Sequence, residues 1–277
     1  NIFLAAGSGA CIESLIHATS NEKTNIVSSF PCFPMYFVYS DCYNTKFRKV
    51  EYGDDKVFSI ESMIQNIDDN TSLVILANPN SPFGDHKSIE ELEKLCKYTS
   101  EKQIVLLIDE AYVEFSPGTS LPLLSRYDNV VISRTFSKAW GAAGTRVGYM
   151  IGHKKVIENI SKVQQAYPIA NTSIKFVKYL LENYKEVESY VNDTIKERDL
   201  VCKILLETGK YDVLNSHTNF IHINEKSEDS SKITTVFEKH GIACKFNTKI
   251  PGDERTSWTR LSIGPGMHSL PFFKELL

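Results

Sequence analysis

Apolar positions fall into two patterns along the chain. Short unbroken aliphatic runs at Ile2-Phe-Leu-Ala-Ala6, Ser72-Leu-Val-Ile-Leu-Ala77 and Ile104-Val-Leu-Leu-Ile108 read as strands buried on both faces. Between them, apolar residues recur at helical spacing, as at Ile12, Leu15 and Ile16 and across 88–97 and 156–165. Strands alternating with amphipathic helices predict an α/β architecture of parallel strands joined by crossover helices. Around Ala166-Tyr-Pro-Ile-Ala170 a proline breaks the helical pattern. From 171 to about 210 the pattern is almost wholly helical; strands are then expected at 211–214, 220–223 and 258–263, with a helix over 230–239. These shifts place a domain boundary near Tyr167 or Pro168, dividing a large domain at 1–166 from a smaller α+β domain at 167–277.

Several chemistry-bearing residues fall just after the predicted strands. In an open α/β sheet ligands bind at the strands' carboxyl ends, where Asp109 follows the run 104–108 and Asn80 follows the run 72–77. Asn80 lies in Asn78-Pro-Asn-Ser-Pro-Phe-Gly84, whose prolines and glycine forbid either regular element. Gly7-Ser8-Gly9 joins a strand to a helix, an arrangement that offers free amides and a positive dipole end to a phosphate. Ser133-Arg-Thr-Phe-Ser-Lys138 followed by Arg146 reads as an anchor for a phosphorylated aldehyde. Lys138 supplies an amine, Thr135 and Ser137 supply hydroxyls, and the guanidinium supplies a bidentate fork. Each feature alone has a plainer reading: a solvated loop lysine, an asparagine closing a turn, and Tyr112 as a half-buried packing aromatic.

Taken together, these residues resemble, in order and approximate spacing, the fold type I pyridoxal-phosphate enzymes, and among them the histidinol-phosphate aminotransferase group. The resemblance runs from Phe3 to Arg260 and is carried by Asn78-Pro-Asn-Ser-Pro-Phe-Gly84, Ile108-Asp-Glu-Ala-Tyr-Val-Glu-Phe115, Arg134-Thr-Phe-Ser-Lys-Ala-Trp140 and Ala143-Gly-Thr-Arg-Val-Gly-Tyr149. It implies a three-layer, mainly parallel sheet with crossover helices and a smaller C-terminal α+β domain. It implies pyridoxal 5'-phosphate as cofactor, with Lys138 forming the imine and moving the substrate proton. Asp109 would pair with the pyridine nitrogen, Asn80 and Tyr112 with the ring oxygen, and Ser8, Gly9, Thr135, Ser137 and Arg146 with the phosphate. Phe33 would stack on the ring, and Arg260 would grip the substrate carboxylate.

The implied activity is transfer of an amino group between a small-molecule donor, such as glutamate or histidinol phosphate, and an oxo acid or phosphorylated ketone. A phosphothreonine-type decarboxylase, an aromatic amino-acid aminotransferase and a catalytically idle cofactor-binding module remain as alternatives. Three positions depart from the group's pattern. Phe33 stands where many relatives have tyrosine, Gly9 where they often have an acidic residue, and Lys245 near a position where histidinol-phosphate enzymes tend to have arginine. The resemblance also implies a homodimer, and an N-terminal arm and first helix ahead of Ile2; the chain ends in what reads as the opening of a final helix, at Pro271-Phe-Phe-Lys-Glu-Leu-Leu277.

Composition narrows the partners. With 31 Lys+Arg against 34 Asp+Glu, a net charge of −3 and no basic run interleaved with aromatics, the chain lacks a nucleic-acid surface. No apolar stretch approaches the ~20 residues of a membrane helix. The six cysteines show no Cys-x-x-Cys and the seven histidines no metal-ligand spacing, which predicts reduced, mostly buried thiols, no metal and a cytoplasmic protein.

Overall fold

The computed structural model describes residues 1–53, 57–227, 232–250, 253, 255 and 258–277. In chain order the first part comprises β1 (Ile2–Ala5), α1 (Ser8–Thr19), β2 (Asn25–Phe30), α2 (Met35–Cys42), β3 (Lys46–Glu51), α3 (Ile60–Gln65), β4 (Thr71–Ala77), α4 (Ile89–Glu101), β5 (Val105–Asp109), β6 (Val130–Thr135) and β7 (Gly148–Gly152). Helices α5 (Lys154–Ser161), α6 (Asn171–Glu182) and α7 (Tyr184–Glu207) lead to β8 (Tyr211–Leu214), β9 (Phe220–Glu225), α8 (Lys232–Lys239), β10 (Lys245–Thr248), β11 (Trp258–Ser262) and α9 (Pro271–Leu276).

The first seven strands form one sheet in the order β1-β7-β6-β5-β4-β2-β3, and β8–β11 form a second, antiparallel sheet in the order β10-β11-β9-β8. The large sheet is parallel from β3 through β6, while β7 runs antiparallel to both of its neighbours. Strands β4 and β5 at its centre are apolar at nearly every position because both faces are covered. Val74, Leu76, Leu106 and Ile108 pack with Met63 of α3 and Leu92 and Leu95 of α4. Leu73, Ile75 and Leu107, which point the other way, pack with Ile12, Leu15 and Ile16 of α1 and Ile157 and Ile160 of α5. The result is the expected three-layer, mainly parallel α/β arrangement.

Local chemistry sets the element ends. Ser88 and Glu91 form a reciprocal capping box that starts α4 directly after the proline-rich loop. The helical stretch 171–210 is interrupted at Asn183, whose φ of −110° and ψ of 34° lie outside the helix, so α6 and α7 are separate. The helix expected at 156–165 ends earlier, at Ser161, and β9 runs two residues further than expected, to Glu225. Of the helix expected at 230–239, positions 230 and 231 lie outside the described residues. Among the described residues no helix is long and apolar enough to cross a membrane, and no His/Cys/Asp/Glu group has metal-site geometry. The cysteines are all unpaired, with Cys11, Cys32 and Cys96 buried, Cys202 and Cys244 partly so and Cys42 exposed.

Candidate active site

Strands β4, β5 and β6 end at the same edge of the sheet, and the chain leaving each one contributes to a cavity of about 320 Å³. Ser8, Gly9, Phe33, Asp109, Tyr112, Thr135, Ser137, Lys138 and Arg146 all line it. Asn80 does not, although Pro79 and Ser81 on either side of it do. Arg260 lies beyond the lining, on β11, with its guanidinium 5.0 Å from the centre of the Phe220 ring.

Asp109 is the last residue of β5 and only 4% exposed. The Tyr36 hydroxyl donates to its Oδ2 at 2.5 Å and the Ser133 hydroxyl to its Oδ1 at 2.7 Å. Burial pushes this carboxyl above its ordinary value, while the two hydroxyl donors hold it down. Neither donor was expected from sequence. Ser133 is placed by the strand register that sets it opposite Asp109, and Tyr36 lies on the first turn of α2, three residues after Phe33.

Lys138 is exposed on the cavity wall, its Nζ 5.1 Å from the centre of the Tyr112 ring. Tyr112 is buried and meets Phe220 edge to face at 5.4 Å, which ties the loop after β5 to β9. Arg134, near the end of β6, pairs with the buried Glu110 at 2.7 Å, and Trp140 donates to Glu114 at 2.9 Å. These contacts fix the two loops on which Tyr112 and Lys138 stand.

The opposite end of the cavity suits an anion. Gly7 precedes α1 without a side-chain cap, and the first turn of the helix carries no acidic residue, so its amides face the cavity unopposed. Arg146 adopts a left-handed backbone, φ 53°, and its guanidinium bonds Ala143 O at 3.0 Å and Ala6 O at 3.4 Å. This folds it against Gly7: a Cβ on Gly7 would lie 2.7 Å from Arg146 Nη2. The Thr135 hydroxyl bonds the Ser137 hydroxyl at 3.0 Å and accepts from the Ser137 amide at 3.1 Å, grouping two further donors beside the same helix end. Tyr39, which sequence reasoning passed over, also lines the cavity, and its hydroxyl would lie 3.4 Å from a Cβ on Gly9.

Gly148 holds this cradle in place, because a Cβ there would lie 2.1 Å from the Ser8 amide nitrogen and 2.4 Å from the Gly7 carbonyl carbon. Both atoms are backbone and cannot turn aside. Gly148→Ala is expected to destabilise the chain by about 3 kcal/mol or more, as overpacking at a rigid site does. Chemical denaturation checks this; a loss within about 0.5 kcal/mol, the range of neutral surface changes, would show that α1 is not held this closely.

Asn80 is 2% exposed, and its amide donates to the Tyr52 hydroxyl and to Pro31 O at 3.4 Å, while its Oδ1 has no partner. The cavity thus pairs an amine and a buried carboxylate with a basic, amide-rich end and one half-satisfied buried amide. That set fits a phosphorylated aromatic aldehyde with a basic ring nitrogen.

Residues 1–269 match the family described as aminotransferase class I and II. Histidinol-phosphate aminotransferase 1 of Carboxydothermus hydrogenoformans is 32% identical over 277 residues, covering 100% of this chain and 76% of its own. The solved histidinol-phosphate aminotransferase of Sinorhizobium meliloti, in complex with pyridoxal-5'-phosphate, shares the fold with a TM-score of 0.85 at 22% identity, over 100% of this chain and 74% of that one. The L-threonine-O-3-phosphate decarboxylase of Porphyromonas gingivalis does so with a TM-score of 0.82 at 18% identity, over 99% of this chain and 82% of that one.

Proposed function

Since the chain belongs to the aminotransferase class I and II family, and is thereby a pyridoxal-phosphate-dependent aminotransferase, we propose that it transfers an amino group from glutamate or histidinol phosphate to an oxo acid or phosphorylated ketone, with Lys138 as the proton carrier. The observation that carries this reading is the convergence of Lys138, Asp109 and the Ser8–Thr135–Ser137–Arg146 cradle on one cavity.

When bound, the cofactor supplies an aldehyde that takes up the amino nitrogen and a ring that accepts the electron pair left by the departing proton. The protein supplies the rest. Ser8, Gly9, Thr135, Ser137 and Arg146 would hold the phosphate and Asp109 would keep the ring nitrogen protonated; Tyr112, and Asn80 from just behind the wall, would bond the ring oxygen, and Phe33 would cover one ring face. Lys138 Nζ would take the proton from the substrate carbon and hold it for return. The burial that disfavours the Asp109 anion is relieved by a cationic ring nitrogen beside it, so site and cofactor are complementary. Arg260 meets the substrate's anionic group.

The reading includes a domain boundary at 166/167, where Tyr167 is 97% exposed and has a φ of 55°. It includes a homodimer, supported by the exposed apolar side chains Ile2, Leu4, Ile174 and Phe176, and a cytoplasmic location, supported by six unpaired cysteines.

The test is the visible spectrum of the protein loaded with pyridoxal phosphate, mixed with L-histidinol phosphate or, in parallel, with L-glutamate. Loss of the bound-cofactor band with either amine, restored by an oxo acid, is the expected result. Carbon dioxide release from an amino acid without amino exchange would replace the transferase with a decarboxylase.

A further inference from the structure

His222 lies at the centre of β9, fully buried, and neither of its ring nitrogens has a hydrogen-bond partner. An imidazole buried in this way has given up its bonds to water for nothing in return, and such groups in a native fold call for a use. Its ring meets Phe220 edge-on at 5.9 Å and Phe83 at 6.1 Å. Phe83 belongs to the loop that carries Asn80, so His222 sits between the cofactor loop and the small sheet.

The strand register shows what stands beside it. Arg260 on β11 is directly opposite His222, and Lys245 on β10 is directly opposite Arg260. Directly opposed residues of antiparallel strands project to the same face with their Cβ atoms about 5 Å apart. The three side chains therefore form one row across the sheet. Burial, together with the charges of Arg260 and Lys245, pushes the imidazole down to about 3, so it is neutral at physiological pH. A neutral imidazole has one acceptor nitrogen, whereas a guanidinium has five donors and no acceptor. Arg260 now rests its guanidinium over the face of Phe220, a contact that fixes distance but not rotation of the fork.

We propose that His222 is a positioning residue for Arg260, its unpaired ring nitrogen accepting an Arg260 N–H as the guanidinium turns its remaining edge to the anionic group of the substrate. The inference rests on the reading of Arg260 as the substrate's anion contact. A neutral acceptor is the suitable choice here. A carboxylate in the same place would orient the fork equally well, but it would cancel the charge that attracts the substrate and repel the incoming anion.

The experiment uses the cofactor-loaded enzyme, so that the phosphate cradle is already filled. His222→Phe and His222→Leu remove the acceptor and keep an apolar filling; His222→Gln keeps an acceptor; Arg260→Gln is the reference. Measured are KM and kcat for L-glutamate, the Kd for inorganic phosphate as an unreactive anion, and the melting temperature. Phe and Leu are expected to raise KM and the phosphate Kd about tenfold, the worth of one hydrogen bond to a charged group, with kcat changed far less. Gln is expected to recover most of that loss, and melting is expected to stay at or above wild type because two orphaned nitrogens are gone. Wild-type KM and phosphate affinity in the Phe and Leu variants, with both weakened in Arg260→Gln, would overturn the role of His222 alone. Unchanged values in Arg260→Gln would overturn the anion contact, and the inference with it.

Discussion

Replacing Lys138 with alanine is expected to lower the rate of amino transfer by at least about 10⁴-fold, the upper range for removal of a positioned acid–base group. Fold stability should stay within about 0.5 kcal/mol, because the side chain is exposed, with its amine over the Tyr112 ring. The cofactor should still bind through the cradle around Ser8 and Arg146, held without a covalent link. Lys138→Arg is expected to be as inactive, since a guanidinium stays protonated and cannot accept the substrate proton. Rapid mixing with L-glutamate, alongside thermal melting of each variant, checks both parts. Turnover within about tenfold of wild type in Lys138→Ala would take this lysine out of the reaction.

Asp109→Asn is expected to act in opposite directions on rate and on stability. Loss of the negative charge opposite the ring nitrogen should lower turnover by about 10²–10³-fold, the size of one electrostatic contact to developing charge. The cofactor-free protein should instead become more stable at neutral pH. The Asp109 carboxyl has a folded-state pKa above its unfolded value, owing first to burial. Its contribution is therefore fully present below the unfolded value and is lost as pH rises through the raised folded one. Asparagine removes that loss while Tyr36 and Ser133 keep a side chain to bond. Denaturation of the cofactor-free protein across pH 4–8 should show a flatter profile for the variant; an unchanged profile would mean that Asp109 carries no such penalty.

What was legible in the sequence follows from how the sheet is covered. β4 and β5 are aliphatic at almost every position because helices lie on both faces, so they stand out as runs. β2 was missed because Ser28 and Ser29 are buried within it and break its apolar run. β3 is an edge strand, Lys46-Phe-Arg-Lys-Val-Glu51, whose charges face outward as edge strands require. β7 is short and bounded by Gly148 and Gly152, and nothing in its own residues announces that it runs antiparallel.

The site divides along the same line. Lys138, Asp109 and Arg146 carry chemistry in their residue type and sit in loops or, for Asp109, at the end of an aliphatic strand, where such types are conspicuous. Tyr36 and Ser133 acquire meaning only from the placement of α2 and from the register between β5 and β6. Asn80 and Arg260 were named from sequence but stand behind the cavity rather than on its wall, Asn80 bonded to Tyr52 and Arg260 resting on Phe220. His222 reads as an ordinary strand residue until the ladder sets it opposite Arg260.

The central claim is that Lys138 is the residue that holds pyridoxal phosphate. The most direct measurement is to load the chain with the cofactor, fix the cofactor–lysine bond with borohydride, digest the protein and locate the added mass by peptide sequencing. One stoichiometric label on the peptide containing Ser137-Lys138-Ala139 is the predicted result; a label on another lysine, or none at all with the cofactor demonstrably bound, would contradict it.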